Sequence, residues 1–163
     1  SARHFHVTAA AYVTIQGLSL VNGQSDDLEN GGGCILVEGS HLEVHQSFLS
    51  NCSSSGLNGG GAIHASESRL SVTEVNCMYN SALWSGGCIA MLNSTGTISN
   101  SQFMHNNAEQ HGGGVHVERS TLSVDHTFMQ ANTAQDRGGG ISGHTDSSIE
   151  ITESAFDSNL AGE

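Results

Sequence analysis

Apolar and polar residues alternate over short stretches along much of this chain. An alternation with period two is typical of a strand that buries one face. No stretch keeps the i, i+3, i+4 spacing of an amphipathic helix over ten residues. The pattern therefore predicts an all-β protein built from short strands. The clearest examples are Leu42-Glu43-Val44, Leu70-Ser71-Val72, Leu122-Ser123-Val124 and Ile149-Glu150-Ile151.

Two further markers repeat along the chain with a common period. Glycine-rich clusters recur at spacings of 28, 26, 27 and 26 residues, beginning at Gly31, Gly59, Ser85, Gly112 and Gly138. Asparagines recur at spacings of 29, 29, 26, 26 and 27 residues, at Asn22, Asn51, Asn80, Asn106, Asn132 and Asn159. A unit of this size buries its apolar face only against its neighbours, so a shared period predicts a solenoid.

Each repeat is predicted to contain three short strands joined by turns, with the glycines at a tight corner. Stacked coils place like residues above one another at about 4.8 Å per coil, so about six coils would extend over roughly 30 Å. The recurring asparagines are expected to bond to the backbone or to the next amide of the stack. The predicted ladder contains Asn51, Asn80, Asn106, Asn132 and Asn159, with Phe48, Cys77, Phe103, Met129 and Phe156 three residues earlier as an inward column.

Small shifts of register interrupt this pattern. The interval from Val44 to Asn51 is one residue shorter than the interval from Val72 to Asn80, and Phe128 precedes the position that Met129 occupies. We interpret residues 1–163 as a single β-helix domain and as part of a longer solenoid. Its first coil (1–30) is divergent, and five glycine-led repeats (31–163) follow.

The repeat resembles that of the polymorphic outer-membrane proteins of chlamydiae, whose signature is Gly-Gly-Ala-Ile followed by Phe-x-x-Asn. Gly60-Gly61-Ala62-Ile63 matches the first half, and Phe48-x-x-Asn51, Phe103-x-x-Asn106 and Phe156-x-x-Asn159 match the second. The resemblance implies a right-handed single-stranded parallel β-helix of the pectate-lyase-like kind, secreted or displayed on a cell surface. It implies no biochemical activity, because such repeats are scaffolds.

Charge excludes several classes of partner. The 163 residues include 4 arginines, no lysine and 16 acidic residues, for a formal net charge of −12. Nucleic acid and anionic lipid are poor partners for such a surface, and a polyanionic polysaccharide would be repelled. No apolar run approaches the roughly 18 residues that a membrane span requires, so we expect no membrane insertion by this segment.

Few residues suggest catalysis or metal binding. Asp26, Asp27 and Glu29 form a compact acidic group, which we interpret as a solvated loop, and we assign no catalytic residue. Most of the ten histidines are placed at different phases of the repeat. Strand alternation puts His41 and His45 on one face with Glu43, a weak zinc or copper contact at most, so we predict no metal site and no cofactor.

The cysteines allow one pairing between neighbouring coils. Cys34 and Cys88 occupy the same repeat position two coils apart, about 9.6 Å by stacking, which is too far for a bridge. We interpret both as small core residues. Cys52 and Cys77 are separated by nearly one coil, so these two are the candidates for a disulfide in an oxidising compartment.

Two N-glycosylation sequons occur, Asn51-Cys52-Ser53 and Asn93-Ser94-Thr95. Asn93 lies in a polar turn and is the better acceptor. Asn51 is the less suitable of the two, because the predicted ladder buries its amide.

These features favour a non-enzymatic extracellular β-helix with a structural or adhesive role. Regular coils with open ends predict end-to-end stacking into a surface filament. The partners would be further copies, or neighbouring coils of the same chain, and polar faces could bind neutral glycans. The alternative is a polysaccharide lyase or glycoside hydrolase of the same fold, which requires two or three carboxylates within about 10 Å of one another beside a groove.

Overall fold

The computed structural model describes residues 3–162, which form strands and no helix. The strands of the first three coils are β1 (Phe5–Val7), β2 (Tyr12–Gln16), β3 (Ser19–Val21), β4 (Gln24–Ser25), β5 (Ile35–Glu38), β6 (His41–His45), β7 (Phe48–Ser50), β8 (Ser53–Ser54), β9 (Ile63–Ser66), β10 (Arg69–Thr73), β11 (Asn76–Met78) and β12 (Ser81–Ala82). Those of the last three coils are β13 (Ile89–Leu92), β14 (Thr95–Ser99), β15 (Gln102–Met104), β16 (Asn107–Ala108), β17 (Val115–Glu118), β18 (Thr121–Asp125), β19 (Phe128–Gln130), β20 (Thr133–Ala134), β21 (Ile141–His144), β22 (Ser148–Thr152), β23 (Ala155–Asp157) and β24 (Leu160–Ala161).

Strands of the same rank stack into four six-stranded parallel sheets. The first strands of the six coils form sheet A (β1 to β21), the second strands sheet B (β2 to β22), the third sheet C (β3 to β23) and the fourth sheet D (β4 to β24). The predicted all-β parallel solenoid of about six coils is confirmed. Each coil has four strands rather than the predicted three, because the strands of sheet D contain two residues and are too short to show a period-two pattern.

The interior is filled by columns of like residues from successive coils. In sheet B, Val44, Val72, Ile98 and Val124 lie side by side, and each is at most 1% exposed. Sheet C contributes a second column, composed of Leu20, Leu49, Cys77, Phe103, Met129 and Phe156. Burial of these columns between coils is the main source of stability in a solenoid, as the repeat pattern predicted.

The placement of Phe48 in the inward column was wrong. Phe48 pairs with Asn76 and is only partly buried, whereas the next residue, Leu49, pairs with Cys77 and is fully buried. Because side chains alternate along a strand, a shift of one residue moves each side chain to the opposite face.

Asparagine side chains form a buried ladder at the corner between sheets C and D. Nδ2 of Asn80 donates to Oδ1 of Asn106 (2.9 Å), and Nδ2 of Asn106 donates to Oδ1 of Asn132 (2.9 Å). Asn132 donates in the same way to Asn159 (2.8 Å). Each of these amide oxygens also accepts the backbone N–H of the preceding coil, at distances from 2.9 to 3.1 Å.

The prediction that Asn51 belongs to this ladder was wrong. Cys52 occupies the ladder position of the second coil, and its backbone N–H donates to Oδ1 of Asn80. Asn51 is one residue earlier, exposed, with a left-handed φ of 52°. The shortened interval between Val44 and Asn51 was the signal for this shift, since the longer interval of the next repeat leads to Cys52 instead.

Two further polar ladders were missed by the sequence analysis. At the corner between sheets A and B, the hydroxyl of Ser68 accepts the N–H of Ser40, and Ser94 and Ser120 continue the series. The corner between sheets B and C is similar: the hydroxyl of Ser101 accepts the N–H of Val75. The signal was present, because the serines at the first corner recur at the repeat period.

Two disulfides cross the interior, and neither is the predicted Cys52–Cys77 pair. Cys34 bonds to Cys52, with a Cα–Cα distance of 5.6 Å, and Cys77 bonds to Cys88 at 6.4 Å. All four cysteines are fully buried. The prediction was wrong because it considered only cysteines in neighbouring coils along the stack. Both bridges instead cross the interior: Cys34 and Cys88 directly precede strands of sheet A, Cys77 lies in sheet C, and Cys52 lies at the corner after sheet C.

Candidate functional site

Both sequon asparagines lie at exposed corners with left-handed backbone conformations. Asn93 has a φ of 48°, and its Oδ1 accepts a hydrogen bond from Nε of Arg119 at 3.2 Å. The premise that burial disfavours Asn51 was wrong, because Asn51 lies outside the ladder. Exposure therefore does not separate the two acceptors, although Cys52, the middle residue of the Asn51 sequon, is held in a disulfide.

The acidic loop ahead of the first glycine cluster is organised by its own backbone. Oδ1 of Asp27 accepts the N–H groups of Glu29 (3.0 Å) and Asn30 (3.2 Å). The bond from Asn30, followed by that from Glu29, lowers the pKa of Asp27 below its usual range. A carboxylate that ends a turn in this way stabilises local structure.

A histidine between two carboxylates is exposed beside the corner that joins sheets B and C. Nδ1 of His126 lies 2.7 Å from Asp125, and its Nε2 lies 2.7 Å from Glu153. The hydrogen bond that His126 donates to the carboxylate of Asp125 is the main reason that the pKa of His126 is raised. Each carboxylate is close enough to exchange a proton with the imidazole of His126.

His41, Glu43 and His45 share the outer face of sheet B, as the alternation predicted. Nε2 of His41 is 3.7 Å from Glu43, and Nε2 of His45 is 3.4 Å from it. The hydroxyl of Tyr12 beside Glu43 is the main cause of a lowered carboxyl pKa. Within residues 3–162, no three histidine, cysteine or acidic side chains are arranged to hold a metal ion.

The outer face of sheet A is unusual because it is covered. Its central column contains His6, Leu36, His64, Ala90, His116 and Ser142, one residue from each coil. Outward positions of a solenoid normally face water, yet Leu36, His64 and Ala90 are at most 1% exposed. The glycine-led turns lie over this face, where Ser85, His111 and Arg137 are bridged in parallel from coil to coil.

Glycine allows the turns of successive coils to approach one another closely over the outer face of sheet A. A Cβ on Gly87 would overlap the carbonyl oxygen of Gly113 in the next coil, so no larger residue fits there. Gly60 and Gly86 adopt φ values of 77° and 67°, which suit residues without a side chain.

A cavity of about 160 Å³ lies between these turns and the sheet. Trp84 and His111 line it from the turns, His116 and Glu118 from β17, and His144 from β21. The rings of His111 and His116 have centroids 5.7 Å apart, and those of His111 and His144 are 6.3 Å apart and nearly parallel. The cavity therefore combines one indole, three imidazoles and one carboxylate.

The imidazole of His116 is neutral at physiological pH. Burial, together with the smaller effects of the nearby His111 and His144, lowers its pKa to about 4. Its Nδ1 is buried without a hydrogen-bond partner, and so is Nδ1 of His111, which lies 3.3 Å from Asp136 without hydrogen-bond alignment. Buried polar atoms are normally paired, so these two nitrogens mark a site with unfilled hydrogen-bonding capacity.

The sequence analysis missed this grouping because it assigned the histidines to different phases of the repeat. That assignment was wrong for His64 and His116, which occupy one column two coils apart, together with His6 of the first coil. The separation of 52 residues between His64 and His116 is two repeat periods, and it was visible in the sequence.

His64 is expected to make the fold sensitive to acid. It is fully buried, and neither ring nitrogen is hydrogen-bonded, although the Asn58 backbone and Glu38 lie near enough to favour its protonation slightly. Burial outweighs both and lowers its pKa to about 4. The unfolded chain binds a proton near pH 6.5 and the folded chain does not. Stability is therefore complete above pH 6.5 and falls by about 3 kcal/mol as the pH decreases to 4.

Replacement of His64 by leucine tests this expectation, because Leu36 already occupies the equivalent position of the second coil. Urea unfolding of both proteins at pH 7.5 and pH 5 should show that the variant loses about 2 kcal/mol less on acidification. An equal loss in the two proteins would mean that His64 does not cause the acid sensitivity.

No protein-family model matches the sequence, and no curated protein or solved structure is significantly similar to it. Within residues 3–162, the chain has no helix whose length and hydropathy would suit a membrane span.

Proposed function

We propose that this protein is a non-enzymatic extracellular β-helix with a structural or adhesive role, whose copies stack end to end into a filament. Apolar surface that is left uncovered on the last coil supports the stacking of a further coil on it, from another copy or from the same chain. Phe156 continues the inward column of Phe103, but 44% of its surface is exposed, against 0% for Phe103. Ile151 continues the column of Val124 and is 45% exposed.

The two ends of the solenoid differ. Ile15 and Leu20 of the first coil are 3% and 7% exposed, so the inward columns are covered at the first coil and uncovered at the last. Strands β21–β24 also form the outer edge of all four sheets and offer unpaired backbone groups. A head-to-tail contact between the last coil and the first coil of another copy would cover both features. Such a contact is heterologous and does not close, so it extends into a fibre.

Other observations are compatible with an extracellular location. Two disulfides form and persist in an oxidising compartment. The net charge of −12 disfavours nucleic acid and anionic membranes as partners.

We also propose that the coil is a divergent form of the chlamydial surface-protein repeat. Phe103 and Asn106 of one Phe-x-x-Asn motif both point inward, one into the apolar column and the other into the amide ladder. The spacing of three residues places the Phe side chain in the apolar column and the Asn side chain in the amide ladder at the next corner.

Sedimentation and electron microscopy of residues 1–163 test the filament. We expect rods that lengthen with protein concentration and with salt, because screening reduces repulsion between copies of charge −12. Phe156→Asp should abolish growth by placing a charge in the contact. Tyr79→Asp is the matched control, since Tyr79 is also exposed (58%) but lies on the lateral corner. A monomer at every concentration, or equal loss in both variants, would refute self-stacking.

The alternative is a carbohydrate-active enzyme, and the His126 group with its two carboxylates is the observation that favours it. Incubation with neutral and acidic polysaccharides, followed by measurement of new reducing ends, tests this alternative. Cleavage that Glu153→Gln abolishes would replace the structural proposal.

A further inference from the structure

We propose that the cavity under the glycine-led turns binds a single neutral sugar unit at the end of a glycan. This inference rests on the adhesive role in the proposed function and specifies the ligand for it. The cavity is lined by Trp84, His111, His116, Glu118 and His144.

The size and the apolar walls of the cavity suit one pyranose ring. Pockets for drug-sized ligands measure roughly 300–1,000 Å³, whereas this cavity measures about 160 Å³. Trp84 and Leu57 line it and remain 42% and 57% exposed, so both are accessible from solvent. A pyranose has a face of C–H groups that packs against an aromatic ring and an edge of hydroxyls that requires polar partners.

The polar walls supply those partners. Nδ1 of His116 is buried without a hydrogen-bond partner, and a neutral imidazole offers one donor and one acceptor. Glu118, at the cavity wall, adds a carboxylate acceptor. Sugar hydroxyls both donate and accept, so they can satisfy nitrogens whose burial is otherwise unfavourable.

Charge and geometry select a neutral ligand. Glu118 is paired with Arg119 at 2.9 Å, so the nearby Asp136 and the net charge of −12 are what disfavour uronic acids and other acidic sugars. The histidines do not converge as metal ligands, because no group of three metal-binding side chains is formed in the part of the chain that the structure describes. The neutral imidazole of His116 beside an indole favours an uncharged polyol over an ion.

Trp84 is the only tryptophan of the chain, so its fluorescence reports directly on the cavity. We expect titration of residues 1–163 with methyl glycosides of glucose, galactose, mannose and N-acetylglucosamine to show saturable binding of at least one. A ligand of so few atoms should bind with a dissociation constant on the order of 1 mM. Methyl glucuronide should bind more weakly than the neutral glycoside.

Two variants and one control test whether the change in Trp84 fluorescence arises from binding in the cavity. His116→Leu should weaken binding at least tenfold, and Leu36 shows that leucine fits at this position of the coil. His144→Ala, at an exposed position, should weaken it without disturbing the fold, as checked by circular dichroism. His126→Asn, far along the coil from the cavity, should leave binding unchanged.

Several results would overturn the inference. These are no saturable change with any neutral glycoside, a change that both cavity variants retain, preferential binding of the glucuronide, or a response to micromolar Zn²⁺ that the same variants abolish. The last result would identify a metal site instead. Sedimentation of each variant separates this test from the test of the filament. Rods that form without sugar binding would refute the sugar-binding proposal alone. Sugar binding by a protein that stays monomeric would refute the filament proposal alone.

Discussion

Removal of both disulfides is expected to lower the free energy of unfolding by about 6 kcal/mol, the largest effect that we predict. The sequence separations of the two bridges are 18 and 11 residues. Loop-closure entropy assigns about 3 kcal/mol to each at 25 °C, and the two closed loops do not overlap, so the two entropy contributions sum to about 6 kcal/mol. A domain is typically stable by only about 5–15 kcal/mol, so the fourfold Cys→Ala variant should be largely unfolded at 37 °C.

Pairwise variants distinguish the bridges from the loss of packing. Cys34→Ala/Cys52→Ala and Cys77→Ala/Cys88→Ala each remove one bond, and each should lower the midpoint of urea unfolding. Cys52→Ala/Cys77→Ala leaves two cysteines with no partner and should destabilise more than either pair. If that variant were the least harmful, or if peptide mapping under non-reducing conditions joined Cys52 to Cys77, the connectivity described here would be wrong.

The second large effect is expected for Asn106→Ala, with a loss of about 3–5 kcal/mol. The Asn106 side chain is fully buried. Its Nδ2 donates to Oδ1 of Asn132 and to the carbonyl of Cys77. Its Oδ1 accepts both the backbone N–H and the Nδ2–H of Asn80. Truncation leaves buried groups in two coils unpaired, and each costs about 1–3 kcal/mol. Urea unfolding measures the loss.

Two variants make this prediction specific to hydrogen bonding. Asn107→Ala changes the adjacent exposed side chain and should cost less than about 0.5 kcal/mol. Asn106→Asp keeps the shape but replaces the donor with an oxygen that faces the Cys77 carbonyl and Oδ1 of Asn132, so it should destabilise at least as much as alanine. A near-neutral aspartate variant would show that the ladder contributes packing alone.

The repeat period was sufficient to predict the solenoid. Glycines, asparagines and alternating aliphatics each recurred at one interval, and stacking requires like residues to align. The amides of Asn80, Asn106, Asn132 and Asn159 could be predicted as a buried ladder for the same reason.

Register within a coil was harder to predict. Phe48 and Asn51 resemble Phe103 and Asn106 in spacing, but the whole motif of the second coil is displaced by one residue, so Leu49 and Cys52 point inward instead. The Phe-x-x-Asn motif is present in the second coil, but its Phe and Asn do not occupy the inward positions that they occupy in later coils. The count of residues from the preceding strand, and not the residue types, determined which face each side chain occupies.

The sequence by itself determined how the coils of this protein stack. It showed which residues recur, how many coils form and that the strands are parallel. The tertiary structure decided contacts across the coil, such as Cys34 with Cys52 and His111 with His116. The physical reason is that a period constrains only neighbours along the stack. Contacts across the interior, and beneath the turns that cover sheet A, depend on the path of the chain around each coil.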